Sequence, residues 1–416
     1  METSIPEAGW KVNANDPMAL TRLLDLPDMN VTRIEYDDRL DVLIVSLEHD
    51  LDLALCPTCG QLCPHPHQYQ TRLVRDLPVW GKICLLEFQA RRFDCVSCQV
   101  PFTETLDWLP TRSRLTGRYR QHLFEACRQT SLQAVSRKEG VGYKTLQRLY
   151  YDLAEQEVAA SAPQEVRLLG IDEFAVLKGH DQFALALSDL ERGRILAVLP
   201  DRTKETLEAY LATWTPAQRA AVTEVAVDLW EPYAQAVRAC LPNARVVADR
   251  FHVMKNLNDQ VTSARRDIQR TAPEAAKETL KGCRWLLVRN EADLSETEVS
   301  RLEAMFLVAP ELASLHRLKE DFRLIFERGK DREAARVDLQ EWIDRAQASG
   351  LGKLNKFVKT LRRRLEDILN YFPNGLSSGT VEGLNNKIKV IKRCAYGYRN
   401  FEHFCLRVRV ECDGTT

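Results

Sequence analysis

The chain has 416 residues, of which 45% are hydrophobic and 28% charged, and its formal net charge is -1. That length exceeds one ordinary core, so two to four domains are expected, and no apolar run approaches the ~18 residues of a membrane span. The acidic, proline-bearing N-terminus does not read as a signal peptide, so the twelve cysteines are read as thiols or metal ligands of a soluble cytoplasmic protein, not as a disulfide framework. The near-neutral total hides a segregation: residues 1–55 carry twelve acids against four bases, and residues 351–411 carry thirteen Lys/Arg against five acids. A basic C-terminal stretch offers phosphates a counterion-releasing surface, although a solvated helix face would have the same composition.

From about residue 30 to 110, apolar and polar positions alternate (Val31-Thr-Arg-Ile-Glu-Tyr, Asp41-Val-Leu-Ile-Val-Ser-Leu), which predicts short strands. Two C-x-x-C pairs, Cys56/Cys59 and Cys95/Cys98, lie in this stretch. Each tight turn can present two thiolates, and two turns complete a tetrahedral zinc site that stabilises a segment too small to hold by burial alone. A hairpin from Arg72 to Phe93 fills the gap between the pairs. Cys63, His65 and His67 are candidate extra ligands, but a polar loop beside a knuckle explains them more simply.

Residues from about 115 to 160 have helical periodicity. Within them, Leu132-Gln-Ala-Val-Ser-Arg-Lys-Glu-Gly-Val-Gly-Tyr-Lys-Thr-Leu-Gln-Arg-Leu-Tyr reads as two helices around a turn at Gly140. Ala134, Val135, Val141, Leu146 and Leu149 are expected to face inward. Tyr143, Lys144, Thr145, Gln147 and Arg148 are then free to enter a DNA groove, as in a helix-turn-helix. Helical hairpins of this kind also occur without DNA.

From about 165 to 255 strands and helices interleave. Val166 to Asp172 is an apolar strand ending in acid, and two further strands, Phe183 to Asp189 and Arg194 to Pro200, continue a meander. A helix (Thr203 to Trp214), a strand ending at Asp228, a second helix and a strand ending at Asp249 follow. The order β-β-β-α-β-α-β is that of an RNase H-like core, in which the ends of the first and fourth strands lie side by side. Asp172 and Asp228 are therefore expected to converge. Two magnesium ions (manganese is an alternative) ~4 Å apart, held by hard oxygen ligands, would activate the attacking oxygen of a phosphodiester reaction and stabilise the leaving one. Asp at a strand end is more often a turn residue when met alone.

Asp249-Arg-Phe-His252 places an acid and a histidine on one helical face. It reads as an accessory pair at the edge of the site, or as a buried hydrogen-bonded pair fixing the corner, with Asp249 the main rival to Asp228. After a charged helical stretch from about 255 to 371, a last helix is expected near Thr380. Glu382 near its start supplies the third carboxylate, favoured by the helix dipole. Asn385, Asn386, Lys389, Lys392 and Arg393 continue from it as a polar, basic stripe suited to a phosphate backbone, or to solvent.

Taken together the chain resembles the ISL-three-type bacterial insertion-sequence transposases. The phrases that carry the likeness are Asp76-Leu-Pro through Arg91-Arg-Phe-Asp-Cys95-Val-Ser-Cys98, Gly170-Ile-Asp-Glu-Phe with Lys178-Gly-His180, Asp249-Arg-Phe-His252, and Ser378-Gly-Thr-Val-Glu-Gly-Leu-Asn-Asn-Lys-Ile-Lys. The resemblance implies an enzyme with an Asp-Asp-Glu site, acting on the terminal inverted repeats of double-stranded DNA and on target DNA. It also implies that Asp228 is catalytic and that Asp249 and His252 are accessory. A homodimer on paired ends and a nucleoid-associated location are expected. The expected fold is α/β multidomain: a β-rich zinc ribbon (1–110), a helix-turn-helix (111–162), the first part of the RNase H-like core (163–260), an all-α insertion (261–371), and the last catalytic helix with the C-terminus (372–416). A DNA-binding regulator carrying an inactive core and a nuclease of the same fold are the rival readings.

Overall fold

The computed structural model describes residues 17–161, 165–176, 183–328, 331–373, 375, 379–395 and 397–413. Lys178 to His180 and Ser378, named in the phrases above, lie outside the described residues. Two units divide at residues 153 and 154.

The first unit opens with α1 (Pro17–Leu24), then β1 (Met29–Asp37) and β2 (Val42–His49). β3 (Leu53–Leu55) and β4 (Leu62–Pro64) form a ribbon of their own, followed by β5 (Gln68–Val79), β6 (Lys82–Asp94) and β7 (Pro101–Thr103). The main sheet runs β1-β2-β6-β5, with β7 added beside β6. Its period-2 pattern buries Val45, Leu47, Val74, Cys84, Leu86 and Phe88 on one face against Met29 and Trp108. The hairpin expected from Arg72 to Phe93 is the β5–β6 pair, turned at Trp80 and Gly81, both with positive φ.

α2 (Gly117–Ala126), α3 (Leu132–Glu139) and α4 (Tyr143–Ala160) follow. Ser131 caps α3 by accepting the Ala134 N–H, and Gly140 ends it at φ 62°, a left-handed conformation that glycine adopts without strain. Val135, Val141, Leu146 and Leu149 are buried as expected. Ala134 is not: it sits exposed as the third residue past the cap, and Ser136, bonded to the Val141 carbonyl at 2.7 Å, takes the inward place.

The second unit is built on β8 (Leu168–Ala175), β9 (Phe183–Asp189), β10 (Arg194–Leu199), α5 (Lys204–Ala212), α6 (Pro216–Ala221), β11 (Glu224–Val227), α7 (Glu231–Cys240) and β12 (Arg245–Ala248). The sheet order is β10-β9-β8-β11-β12. The first three strands are antiparallel, and β8, β11 and β12 are parallel. The expected succession is thus found, with the short α6 added. Gly170 of β8 leaves no room for a side chain: a Cβ there would sit 2.5 Å from Ser188 Oγ and 2.7 Å from Leu190 Cδ2. Gly170→Ala is expected to destabilise this unit by ~1–3 kcal/mol through overpacking, read as a lower urea midpoint with unchanged slope.

Eight helices then run from α8 (Arg250–Thr271) through α9 (Glu274–Leu280), α10 (Arg284–Val288), α11 (Glu296–Val308), α12 (Pro310–Glu327), α13 (Arg332–Ala348) and α14 (Leu354–Arg363) to α15 (Leu365–Leu369). Phe322, Trp342 and Phe357 meet edge to face at the centre of their shared core, with centroids 4.8–5.7 Å apart, and the Trp342 indole donates to the Leu318 carbonyl at 2.7 Å. The bundle is tied to the sheet by Asn370, donating to the Val246 carbonyl at 2.9 Å, and to α7 by buried Arg364, donating to Glu231 at 2.7 Å.

His316 of α12 is 3% exposed, and burial, with Lys319 nearby, holds it down to about 4 against the opposing charge of Glu320. Its unfolded value is about 6.5, so between those values the unfolded chain binds more protons. This group's contribution is therefore intact above pH 6.5 and erodes as pH falls towards 4, by ~2 kcal/mol at pH 5. His316→Gln should lose correspondingly less stability between pH 7 and 5 in urea melts.

α16 (Gly379–Cys394) begins where the last helix was expected, and α17 (Phe401–Glu411), not anticipated, follows it. Leu384, Ile388 and Ile391 of α16 and Phe404 and Val408 of α17 pack on Phe174, Ala184, Ala186 and Val198 of the sheet.

Candidate active site

The parallel ladders pair Ala226 with Gly170 and Val227 with Ala248. Carried on in register, they set Asp172, Asp228 and Asp249 in one row across three adjacent strands, ~4.8 Å apart, with Asp228 in the middle. Asp228 and Asp249 directly follow the last residues of β11 and β12, at the end of the sheet where open α/β folds place their ligands. Asp172 does not end its strand as expected, because β8 runs on to Ala175 through its pairing with β9.

The row is held by local bonds. Asp172 Oδ1 accepts the Glu173 N–H at 2.8 Å, Asp228 Oδ1 accepts the Trp230 N–H at 2.8 Å, and Asp249 Oδ1 caps α8 by accepting the Phe251 N–H at 2.9 Å. His252 spans the outer two: Nδ1 is 2.7 Å from Asp249 Oδ2, and Nε2 is 3.7 Å from Asp172 Oδ1. Burial pushes the Asp172 and Asp228 carboxyls above their ordinary range, with His252 opposing. Burial pulls the His252 imidazole down, but the Asp249 hydrogen bond and the charges of Asp249, Asp172 and Asp228 outweigh it, so its pKa is raised. Three half-buried acids thus stand against one imidazole, which contacts only Asp249 and Asp172, and this leaves excess negative charge in a site made of hard oxygen donors. That donor set fits magnesium or manganese.

Glu382, exposed in the first turn of α16, lines a cleft of about 600 Å³ together with Asp172, Asp249, His252, Lys389, Lys392 and Arg393. Asp228 is not on that lining. Among the described residues, no three carboxylate or imidazole groups have donor atoms as closely gathered as the four cysteines do. Asn385 is buried and donates to Asp172 Oδ2, so its amide holds a carboxylate instead of facing outward. Lys392 bonds the Ala175 carbonyl at 2.7 Å, whereas Asn386, Lys389 and Arg393 are exposed. Sequence reasoning passed over Glu173, Phe251 and Lys255, which also line the cleft. Lys255, three residues beyond His252 on α8, was legible from helical spacing.

In the first unit the two knuckles are built alike. Gly60 N–H bonds Cys56 O at 2.9 Å and Gln99 N–H bonds Cys95 O at 2.8 Å, and both Gly60 and Gln99 have positive φ. Cys56 and Cys98 sulfurs are 3.6 Å apart and those of Cys59 and Cys95 are 3.5 Å apart. All four lie within 4.8 Å of one another. A tetrahedral zinc with Zn–S bonds of 2.3 Å spaces its sulfurs roughly 3.8 Å apart, so the cage fits the ion. The Cys98 backbone N–H beside it holds the Cys95 thiol down to about 6. Cys63 stays outside the cage, its Sγ 3.6 Å from Gln61 O; His65 and His67 are not in the set either. On α4, Tyr143, Lys144, Thr145 and Arg148 are exposed and Gln147 half-buried.

Residues 52–98 match the zinc-finger of transposase IS204/IS1001/IS1096/IS1165, residues 104–154 match the helix-turn-helix domain of transposase family ISL3, and residues 169–408 match the family described as transposase. The chain is 32% identical over 397 residues to the transposase for insertion sequence element IS1001 of Bordetella parapertussis, spanning 92% of this chain and 95% of the relative. It is 26% identical over 350 residues to the transposase for insertion sequence element IS1557 of Mycobacterium tuberculosis, spanning 77% of each. The chain belongs to the ISL3 family of insertion-sequence transposases. No helix among the described residues is long and apolar enough to cross a membrane.

Proposed function

We propose that this transposase binds the terminal inverted repeats of its element and cuts and rejoins DNA with Asp172, Asp228 and Glu382 as metal-binding carboxylates on an RNase H-like core. The observation that supports the reading is the parallel register of β8 and β11, which pairs Ala226 with Gly170 and, carried on by two residues, brings Asp172 of β8 beside Asp228 just past β11. The strand order around them supports the RNase H-like assignment, with α8 to α15 as an insertion before α16. The domain limits are proposed as 1–110, 111–162, 163–260, 261–371 and 372–416.

Bound magnesium or manganese would supply a Lewis acid that activates the attacking oxygen and stabilises the departing one. Asp172, Asp228 and Glu382 are the residues that would hold it. Asn385 steadies Asp172, and His252, fixed by Asp249, offsets part of the negative charge. Lys389 and Arg393 draw the phosphate backbone along α16, while Tyr143, Lys144, Thr145, Gln147 and Arg148 address the duplex. A second reading makes Asp249 the second metal-binding carboxylate, favoured by its place on the cleft wall beside Asp172 and Glu382. Pairing two transposon ends calls for a homodimer in the DNA complex; hydrodynamic mass on paired ends checks it, and a monomer there would sink it. The function itself is tested by incubating the full chain and magnesium with DNA bearing the flanking repeats. Joined ends support it, and binding without cutting under any divalent metal favours a regulator.

A further inference from the structure

A separate cavity of about 310 Å³ lies against the start of β10, lined by Arg194, Tyr210, Trp214, Gln218 and Arg409, with Val166 at its wall. Arg194 pairs with Asp189, and Asp189 with Leu169 at the start of β8, so this is the end of the sheet remote from the aspartate row.

Arg194 is 12% exposed along its side chain, and its Nε and Nη2 are buried with no hydrogen-bond acceptor. Asp189 Oδ2 stands 3.5 Å from Nε, but that carboxylate is already engaged: it accepts Arg192 Nη1 at 2.8 Å and the backbone N–H groups of Glu191 and Arg192 at 3.1 and 3.2 Å. Arg409 shares the cavity and forms no hydrogen bond or ion pair among the described residues; burial first, and Arg194 among lesser causes, lowers its pKa. Two guanidinium groups thus face one space with unspent donors. Buried donors left so are rare in folded proteins and cost stability unless a ligand or water meets them. Guanidinium forks match phosphate oxygens.

The remaining walls narrow the choice. Trp214 and Tyr210 meet at right angles, 6.1 Å between centroids, and offer flat apolar surface. Glu157 and Asp413 also line the cavity, so a ligand that is anionic throughout would be repelled, whereas one with an amine at its far end would be received. The volume lies at the lower end of small-molecule sites. We propose that this cavity binds a nucleoside monophosphate with an exocyclic amine, free or at the terminus of a strand. Its phosphoryl group sits on Arg194 and Arg409, and its base lies against Trp214.

The test is calorimetric titration of the full chain with inorganic phosphate, with dAMP, and with a short single strand with or without a 5′-phosphate. Saturable binding of dAMP is expected, with phosphate as a weaker competitor. Arg194→Gln and Arg409→Gln should each weaken dAMP at least about tenfold, as loss of a charge-assisted bond does. Trp214→Leu should weaken dAMP while leaving phosphate unchanged. If the 5′-phosphorylated strand binds in this Arg194-dependent way and dAMP does not, the site holds and its source is a strand end. Each variant is checked by thermal melting, and if Arg194→Gln does not fold, the Arg409 and Trp214 variants decide. The proposal is overturned if neither dAMP nor the phosphorylated strand binds. It is equally overturned if binding persists in all three variants but is lost in Lys389→Ala, because the basic helix α16 would then be the site.

Discussion

Asp172→Asn is expected to lower DNA cleavage and strand transfer at least about a thousandfold, ~4 kcal/mol of transition-state stabilisation, while leaving binding to the terminal repeats intact. The substitution keeps the shape of the side chain and its hydrogen bond from Glu173. It removes one of the negative charges proposed to hold a divalent cation. Duplex affinity should hold or rise slightly, because a negative charge is withdrawn from a cleft that phosphates approach. Asp228→Asn and Glu382→Gln should behave in the same way. Asp249→Asn is the discriminating variant: as an accessory group it frees His252 and slows the reaction more mildly, on the order of tenfold to a hundredfold, as loss of a supporting partner does. The readout is cleaved and joined product on labelled ends with magnesium, alongside gel-shift affinity. If Asp249→Asn is dead and Asp228→Asn survives, the second carboxylate is Asp249 and the reading built on Asp228 fails. If all four variants bind and cut like the wild type, the cleft is not where the chemistry occurs.

Much of this site was readable because its signals are local. Asp172, Asp228 and Asp249 each end a short apolar run, and a parallel strand buried on both faces announces itself as such a run. The C-x-x-C pairs were readable for the same reason, since a metal knuckle is a four-residue event. The relation between the parts was harder to read. That the three aspartates fall in one row depends on the register of β11 against both β8 and β12, and register is fixed by packing between strands far apart in sequence. Helical spacing from Glu382 assigns Asn385 to a phosphate-facing stripe; its bond to Asp172, 213 positions away, leaves no trace in that periodicity. Hydrophobicity alone points Ala134 inward, yet one turn of a short helix tolerates alanine on either side, and Ser136 finds a backbone acceptor inside. α17 was missed because Phe401-Glu-His-Phe-Cys-Leu-Arg-Val-Arg-Val-Glu alternates its last apolar positions like a strand. Packing against β10 and its neighbours makes it a helix.

Removing zinc from the four-cysteine site should dismantle the knuckle while sparing the fold of the second unit. The argument is one of scale. β3 and β4 have three residues each, and the apolar cluster under them consists of Cys56, Cys63, Phe93, Cys95 and Phe102, with Ala54 and Cys98 at its edge. So small a cluster cannot offset the entropy of ordering two loops, at ~1–2 kcal/mol per residue. Structural zinc contributes ~10–16 kcal/mol of apparent binding free energy in peptides of this kind, more than any single packing contact here. One zinc per chain is therefore expected by metal analysis. Cys95→Ser should abolish it, and strong chelators should release it. Either treatment should open residues 52–98 to limited proteolysis and weaken binding to the terminal repeats by at least about tenfold. Fragments covering the second unit should survive the same digestion, because its cores do not draw on the cysteine cage. If the isolated chain holds no zinc and the knuckle still resists protease, the paired thiols stabilise it by packing alone. Sulfur spacings of 3.5 and 3.6 Å would then need another cause than an ion at their centre.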